Sequence, residues 1–234
     1  MIRVGLAGIG FMGMIHYLTY QKLRGVKVAA LCEQDPKRLA GDWRSIKGNF
    51  GSPGDVMDLT GVAKYAELDE MMARHASYKL LAENIRCRFQ NPREELRELF
   101  GRLTFNILCG NTDDHARNHA AFWDGKNLHL TPAYDVCPQS RLGEEAGQGM
   151  RIVGNHNKSQ FALCLQAAPQ FLLSDREARA IILQQVNTIR AHWDGICDEA
   201  KLSATDRVLL YGRQFLNPFA FYDAPQEIKS AGQL

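Results

Sequence analysis

Residues 105–136 read FNILCGNTDDHARNHAAFWDGKNLHLTPAYDV, and this stretch joins the end of a predicted helix to a polar loop and two short predicted strands. Apolar residues recur at helical spacing through residues 92–109, and Gly110 follows where a helix usually ends. Asp124 and Gly125 stand between two runs of strand-forming residues, which predicts a β-hairpin. The polar residues between helix and hairpin are therefore expected in one loop held by two regular elements.

Three oxygen-bearing side chains in this stretch form a chemically meaningful pattern. Asp113 and Asn118 stand five residues apart, and Asp135 follows Asn118 after 17 residues. Protein kinases place a catalytic Asp and a metal-binding Asn at the same five-residue spacing, with a second metal-binding Asp downstream. Carboxylate and amide oxygens are the ligands that Mg²⁺ prefers, and an Asp can accept the proton of an attacking hydroxyl. The pattern predicts a phosphotransfer site.

Residues 77–222 resemble the C-terminal lobe of the HipA-like serine/threonine kinases. The resemblance is carried by LRELFGRLTFNILCGNTDDHARNHAAFW and LTPAYDVCP. It implies that Asp113 is the catalytic aspartate, that Asn118 and Asp135 bind Mg²⁺, and that the nucleotide is ATP. In that family a smaller N-terminal lobe also holds the nucleotide, and nothing in this sequence matches that lobe. The resemblance therefore predicts an incomplete kinase, with a protein substrate or a separate chain that supplies the lobe.

Two alternatives remain open for the same polar loop. His115 and His119 stand four residues apart, as zinc ligands on one helix face would. However, Ala116 and Arg117 occupy the two positions after His115, so the glutamate of an H-E-x-x-H zinc motif is absent. The other alternative is that residues 111–119 form only a capped loop without chemistry.

A second motif lies at the N-terminus. A strand predicted at residues 2–7 leads into Gly8-x-Gly10-x-x-Gly13, which opens a predicted helix, and Glu33 ends the next predicted strand. In dinucleotide-binding folds the first glycine permits a tight turn, the second lets the backbone approach a pyrophosphate, and the third allows close packing of helix and strand. The acidic residue accepts hydrogen bonds from the ribose. The motif predicts a dinucleotide site.

Residues 1–73 resemble the N-terminal segment of the Gfo/Idh/MocA family of oxidoreductases. The resemblance is carried by VGLAGIGFMGMIH, ALCEQDPKR and AKYAELDEMM. It implies that NAD(P) is held by Gly8, Gly10, Gly13 and Glu33. The family's Glu-Lys-Pro motif does not occur in this sequence, so its catalytic lysine has no counterpart here.

The two resemblances predict a fold in two parts. Residues 1–75 are expected to form a truncated dinucleotide-binding unit, an α/β partial Rossmann piece with about three parallel strands. Residues 77–234 are expected to form a mainly α domain like the C-terminal lobe of HipA-like kinases, with one β-hairpin. The sequence therefore predicts a fusion of two unrelated pieces.

Further helices and loops are predicted around these motifs. Helical patterns cover residues 67–74, 174–197 and 203–214. Residues 140–160 are rich in glycine and charge, which predicts a mobile loop, and the tail beyond Tyr222 is expected to fray.

Composition limits the classes of function. With 28 basic and 26 acidic residues the net charge is +2, which gives no direct sign of a nucleic-acid partner. The absence of a long apolar run and of a cysteine framework predicts a cytoplasmic protein without a membrane partner. Three functions follow as hypotheses: a phosphotransferase that uses ATP and Mg²⁺, an NAD(P)-binding remnant of an oxidoreductase, or a non-catalytic interaction module.

Overall fold

A computed structural model describes residues 2–48, 53–68, 71, 76–139 and 143–232. The contact pattern divides the chain into two compact units, Met1–His75 and Ala76–Leu234, which are called the N-terminal unit and the C-terminal unit below. No helix among the described residues is long and apolar enough to cross a membrane.

The N-terminal unit contains a small parallel sheet flanked by helices. Its elements in chain order are β1 (Ile2–Ala7), α1 (Phe11–Lys22), β2 (Val26–Cys32), α2 (Pro36–Ala40) and β3 (Ala63–Tyr65). Among the described residues the strands lie in the order β1-β2-β3, and both pairings are parallel. This arrangement matches the predicted strands, and the helix predicted at 67–74 lies largely outside the described residues.

Burial in this sheet is uneven. Strand β2 runs through the core between its two neighbours, and residues 28–32 are all buried. The apolar run at residues 2–7 also predicts a buried strand, but β1 is largely exposed, with Ile2 at 66%. The reason is that β1 pairs only with β2 among the described residues, so one of its edges and much of its surface face solvent. Trp43 and Tyr17 pack edge to face in the core beneath the sheet.

The C-terminal unit is mainly helical. Its elements in chain order are α3 (Tyr78–Arg88), α4 (Pro92–Cys109), β4 (Ala121–Trp123), β5 (Leu128–Leu130), α5 (Phe161–Ala167), α6 (Asp175–Glu199), α7 (Ala204–Leu210) and α8 (Gln226–Gly232), with 3₁₀ turns at Ala116–Asn118, Ala168–Phe171 and Pro218–Phe221. Its core is built around α4, whose buried stripe includes Leu99, Phe100 and Leu103. Phe171 packs edge to face on Phe100, which ties the turn before α6 to α4.

Local sequence signals set the ends of the two long helices as predicted. Proline occupies the first position of α4, and Gly110 ends it in the left-handed conformation. Ser174 and Glu177 form a reciprocal capping box at the start of α6. In the hairpin, the Asp124 carboxylate accepts from the backbone N–H groups of residues 126 and 127, which closes the turn between β4 and β5.

Two predicted loops prove to be packed structure. In the segment 143–160, Met150 and Ile152 are buried in the core, so the glycines mark turns and not mobility. The tail beyond Tyr222 was expected to fray, but it contains α8, whose Ile228 is fully buried. Tertiary burial of a few apolar side chains decided both outcomes, and local composition did not reveal them.

Candidate functional site

The polar loop at residues 111–119, called the site loop below, begins where α4 stops. Gly110 has φ +71°, which only glycine adopts without strain. A Cβ at this position would lie 2.6 Å from the backbone oxygen of Gln214, so the close approach of that segment also requires glycine. The helix end and its tight packing therefore fix where the site loop leaves α4.

Asn111 connects the two halves of the predicted site. Its side chain is buried, its Oδ1 accepts from the backbone N–H of Asp113 at 3.3 Å, and its Nδ2 donates to the carbonyl of Asp135 at 3.3 Å. The same Nδ2 lies 3.1 Å from Oδ1 of Asn106 on α4. One buried amide thus brings the backbones of Asp113 and Asp135 together, although they are far apart in sequence.

Asn118 is tied to Asp113 from the other side. It ends the 3₁₀ turn, and its Nδ2 donates to the carbonyl of Asp113 at 3.2 Å. The amide orientation is thereby set, so that Oδ1 is the atom left to act as a ligand. Asn118 is 7% exposed, so its side chain is largely buried.

Asp135 lies in an extended segment that follows β5. Its φ is +56°, an uncommon conformation that Asp tolerates better than most residues, and its side chain is exposed. The neighbouring Tyr134 hydroxyl donates to the carbonyl of Arg117 at 2.5 Å, which holds this segment against the site loop. The structure therefore places Asp113, Asn118 and Asp135 in one hydrogen-bonded region, linked through Asn111.

A cavity of about 240 Å³ opens beside this region. Asn118 and His119 line it from the site loop, Arg102 lines it from α4, and Tyr134 and Val136 line it from either side of Asp135. Of the three predicted site residues, all of which are described, Asn118 lines this space and Asp113 and Asp135 do not, although both neighbours of Asp135 do.

Sequence reasoning gave no role to a buried cluster behind the site loop. Asp114 is only 2% exposed, it accepts a hydrogen bond from the Tyr78 hydroxyl, and its Oδ1 lies 3.0 Å from Nε2 of His119. The signal that could have found it is an Asp beside the predicted catalytic residue, but its partner Tyr78 lies 36 residues away and no local pattern connects them.

The donor set fits a hard divalent cation. The two exposed carboxylates, Asp113 and Asp135, have no hydrogen-bond or ion-pair partner within the described ranges, and Asn118 offers an amide oxygen. The described residues contain no cluster of three or more His, Cys, Asp or Glu side chains, which leaves no support there for the zinc alternative at His115 and His119. Burial raises the pKa of the Cys109 thiol to about 11, so this thiol is protonated at neutral pH in the metal-free protein.

In the glycine motif of the N-terminal unit, local geometry favours glycine at two of the three positions. Gly8 has φ +81°, and a Cβ on Gly13 would collide with the Gly8 carbonyl oxygen. Around Gly10, no described atom lies within 4 Å of where a Cβ would stand. Helix α1 starts at this loop with no side-chain cap and no acidic residue in its first turn, and the partial positive charge at the start of a helix attracts anions.

Glu33 is engaged with the glycine loop. Its Oε2 accepts from the backbone N–H of Ile9 at 2.5 Å, and its Oε1 accepts from the backbone N–H of Asp35 at 3.0 Å. The Arg38 guanidinium lies across the same loop and donates to the Ile9 carbonyl at 3.4 Å. Each carboxylate oxygen retains a lone pair, so Glu33 could still accept from a ribose hydroxyl.

Comparisons with known proteins found one matching family and similar solved structures. The family profile of the HipA-like C-terminal domain matches residues 53–193. A chain in the solved complex of the Shewanella oneidensis MR-1 toxin–antitoxin system HipA, HipB and its operator DNA superposes with a TM-score of 0.50 at 19% identity. The match covers 82% of this chain and 42% of that one, so this chain spans about two fifths of the length of the solved relative. None of the curated proteins matches.

Proposed function

The chain belongs to the family defined by the HipA-like C-terminal domain, and from this membership we propose that its C-terminal unit is the metal-binding and catalytic part of a serine/threonine kinase that uses ATP and Mg²⁺. The observation that supports this most is the buried Asn111 amide, which holds the backbones of Asp113 and Asp135 together. Asn118, tied to the Asp113 carbonyl, completes the set.

Each residue has a role in this proposal. The exposed Asp113 carboxylate accepts the proton of the attacking hydroxyl, while Asn118 Oδ1 and the Asp135 carboxylate hold Mg²⁺. A Mg²⁺ ion held by these two residues would supply the positive charge that neutralises the phosphate groups. Asn111 keeps the base and the metal ligands in register, which matters because phosphoryl transfer depends mainly on positioning and electrostatics.

The partners in this proposal follow from the length of the relatives. Because the chain spans about two fifths of the solved relative, we propose that a separate chain supplies further nucleotide contacts, and that the phosphate acceptor is a protein. The solved relative is in a complex with HipB and operator DNA. A regulatory protein of that kind is a proposed partner here, whereas the charge balance of this chain gives no sign of its own contact with DNA.

The proposal predicts ATP binding that requires a divalent cation. In isothermal titration calorimetry, ATP with Mg²⁺ is expected to bind the wild-type chain at least about tenfold more tightly than ATP with EDTA, because Asn118 and Asp135 would hold the metal ion that accompanies the nucleotide. Equal affinity with and without the metal would contradict the kinase site. Absence of ATP binding under both conditions would favour a non-catalytic interaction module.

A second function is proposed for the N-terminal unit, which would bind NAD(P) as an oxidoreductase remnant. The observation that favours it is that no described atom occupies the space at Gly10, beside the start of α1, which has no side-chain cap. These features suit a pyrophosphate, whose negative charge the start of a helix attracts, and Glu33 beside the glycine loop would accept from the ribose.

Replacing Gly10 by Val tests this second function. The valine side chain has room on the protein side, so the melting temperature is expected to change little, whereas the affinity for NADH should fall at least about tenfold because the side chain occupies the pyrophosphate position. Fluorescence titration with NADH measures the affinity. NADH binding that is equal in wild type and Gly10→Val would contradict a dinucleotide site at this loop.

A further inference from the structure

The buried cluster behind the site loop contains an unusual carboxylate. Asp114 is 2% exposed, and carboxylates are rarely buried to this degree unless they are paired. Oδ2 accepts a hydrogen bond from the Tyr78 hydroxyl, and Oδ1 lies 3.0 Å from Nε2 of His119 in a close contact that is not a hydrogen bond. The Tyr78 and His119 rings also meet edge to face, with centroids 5.8 Å apart. The three side chains are packed as one group.

Tyr78 anchors this cluster to the core. It is fully buried at the first position of α3, where Ser77 caps the helix and the Tyr78 N–H donates to the Arg151 carbonyl at 3.0 Å. On the other side, Gly149 packs so closely that a Cβ there would lie 2.9 Å from the Asp114 carbonyl oxygen. Elements distant in sequence therefore clamp Asp114 in one position.

The clamp acts on the neighbouring residues through chain geometry. In the site loop Asp114 is buried while its neighbour Asp113 is exposed, so the two side chains lie on different sides of the chain. Holding Asp114 inward thus turns Asp113 outward. His119 follows Asn118 directly, so the same cluster also fixes the chain at the predicted metal ligand.

We propose that Asp114 is a positioning residue, held by Tyr78 and His119, that sets the orientation of Asp113 and Asn118 in the site loop. The positional part of the proposal, that Asp114 orients Asp113 and Asn118, is argued from these contacts alone. Its consequence for catalysis rests on the proposed kinase function. Asp114 touches no reacting atom in this account and acts only through its neighbours.

Hydrogen exchange measured by NMR tests the positional part without any ligand. In Tyr78→Phe and Asp114→Ala, the backbone amides of Asp113 and Asn118 are expected to exchange about tenfold faster or more, relative to amides within α4 of the same variant. Asp114→Asn keeps an acceptor for the Tyr78 hydroxyl and is expected to restore part of the protection. The control is Tyr17→Phe, which removes a buried hydroxyl bonded to the Asp58 carbonyl in the other unit.

A purely structural role predicts a different result. It would raise exchange in α4 and in the site loop in equal proportion, and that outcome would overturn the proposal.

If the exchange result is as expected, titration with ATP and Mg²⁺ tests the consequence for nucleotide binding. Tyr78→Phe and Asp114→Ala should bind ATP with Mg²⁺ about five- to tenfold more weakly than Tyr17→Phe does. Loss of protection together with unchanged affinity would overturn the link to metal binding. Wild type that fails to bind ATP with Mg²⁺ would overturn the kinase function and leave the positional result standing.

Discussion

Phosphoryl transfer from ATP is expected to fall by a factor of about 10² to 10⁴ when Asp113 is replaced by Asn. The substitution keeps the size and shape of the side chain and removes the group that accepts the proton of the attacking hydroxyl. Asp113 is well placed for this role because it is exposed while its backbone is held on both sides, by Asn111 at its N–H and by Asn118 at its carbonyl. Release of ADP in the presence of Mg²⁺ and transfer of labelled phosphate to protein measure the rate.

The affinity for the nucleotide distinguishes a catalytic base from a metal ligand at Asp113. Asp113→Asn should leave the dissociation constant for ATP with Mg²⁺ within about threefold of wild type, because the metal ligands are unchanged. A variant that transfers phosphate at the wild-type rate would show that Asp113 is not the base. A variant that loses both the rate and the affinity would place Asp113 among the metal ligands.

The sequence predicted the regular elements wherever local signals are strong. The end of α4 at Gly110, the start of α6 at Ser174 and the hairpin turn at Asp124 depend on capping and turn interactions within a few residues. The structure confirms all three. The segment 143–160 and the tail were predicted wrongly because burial of Met150, Ile152 and Ile228 depends on distant partners. Local composition carries no information about those partners.

In the candidate site, too, contacts between residues close in sequence could be predicted and contacts between distant residues could not. That Asn111 Oδ1 accepts from the N–H two residues later is a turn that Asn commonly makes, so this bond could have been predicted. Its bond to the Asp135 carbonyl, and the bond of Asp114 to Tyr78, span 24 and 36 residues, and only the folded chain brings these groups together. The sequence thus indicated which side chains carry the chemistry, and tertiary structure revealed which buried groups position them.

Asp135→Ala is expected to remove metal-dependent nucleotide binding. The substitution deletes the negatively charged metal ligand, which the exposed side chain provides with no competing partner among the described residues. We expect the affinity for ATP with Mn²⁺, used as a paramagnetic substitute for Mg²⁺, to fall at least about thirtyfold. The backbone of Asp135 is left-handed, so alanine also adds strain that a control must reproduce.

Asp223→Ala provides that control. Asp223 is also an exposed aspartate of the C-terminal unit, and its φ of +58° matches the +56° of Asp135. Replacing Asp223 by Ala should cause a comparable loss of thermal stability without affecting metal binding. Both variants can therefore be compared at equal folded fraction.

The most direct test is the electron paramagnetic resonance of Mn²⁺ titrated into each protein with ATP. If Asn118 and Asp135 hold the metal, wild type and Asp223→Ala should show a protein-bound Mn²⁺–ATP signal. This signal should be absent from Asp135→Ala at the same concentrations. An equally strong bound signal in Asp135→Ala would contradict a metal site at Asn118 and Asp135, and with it the phosphotransfer function.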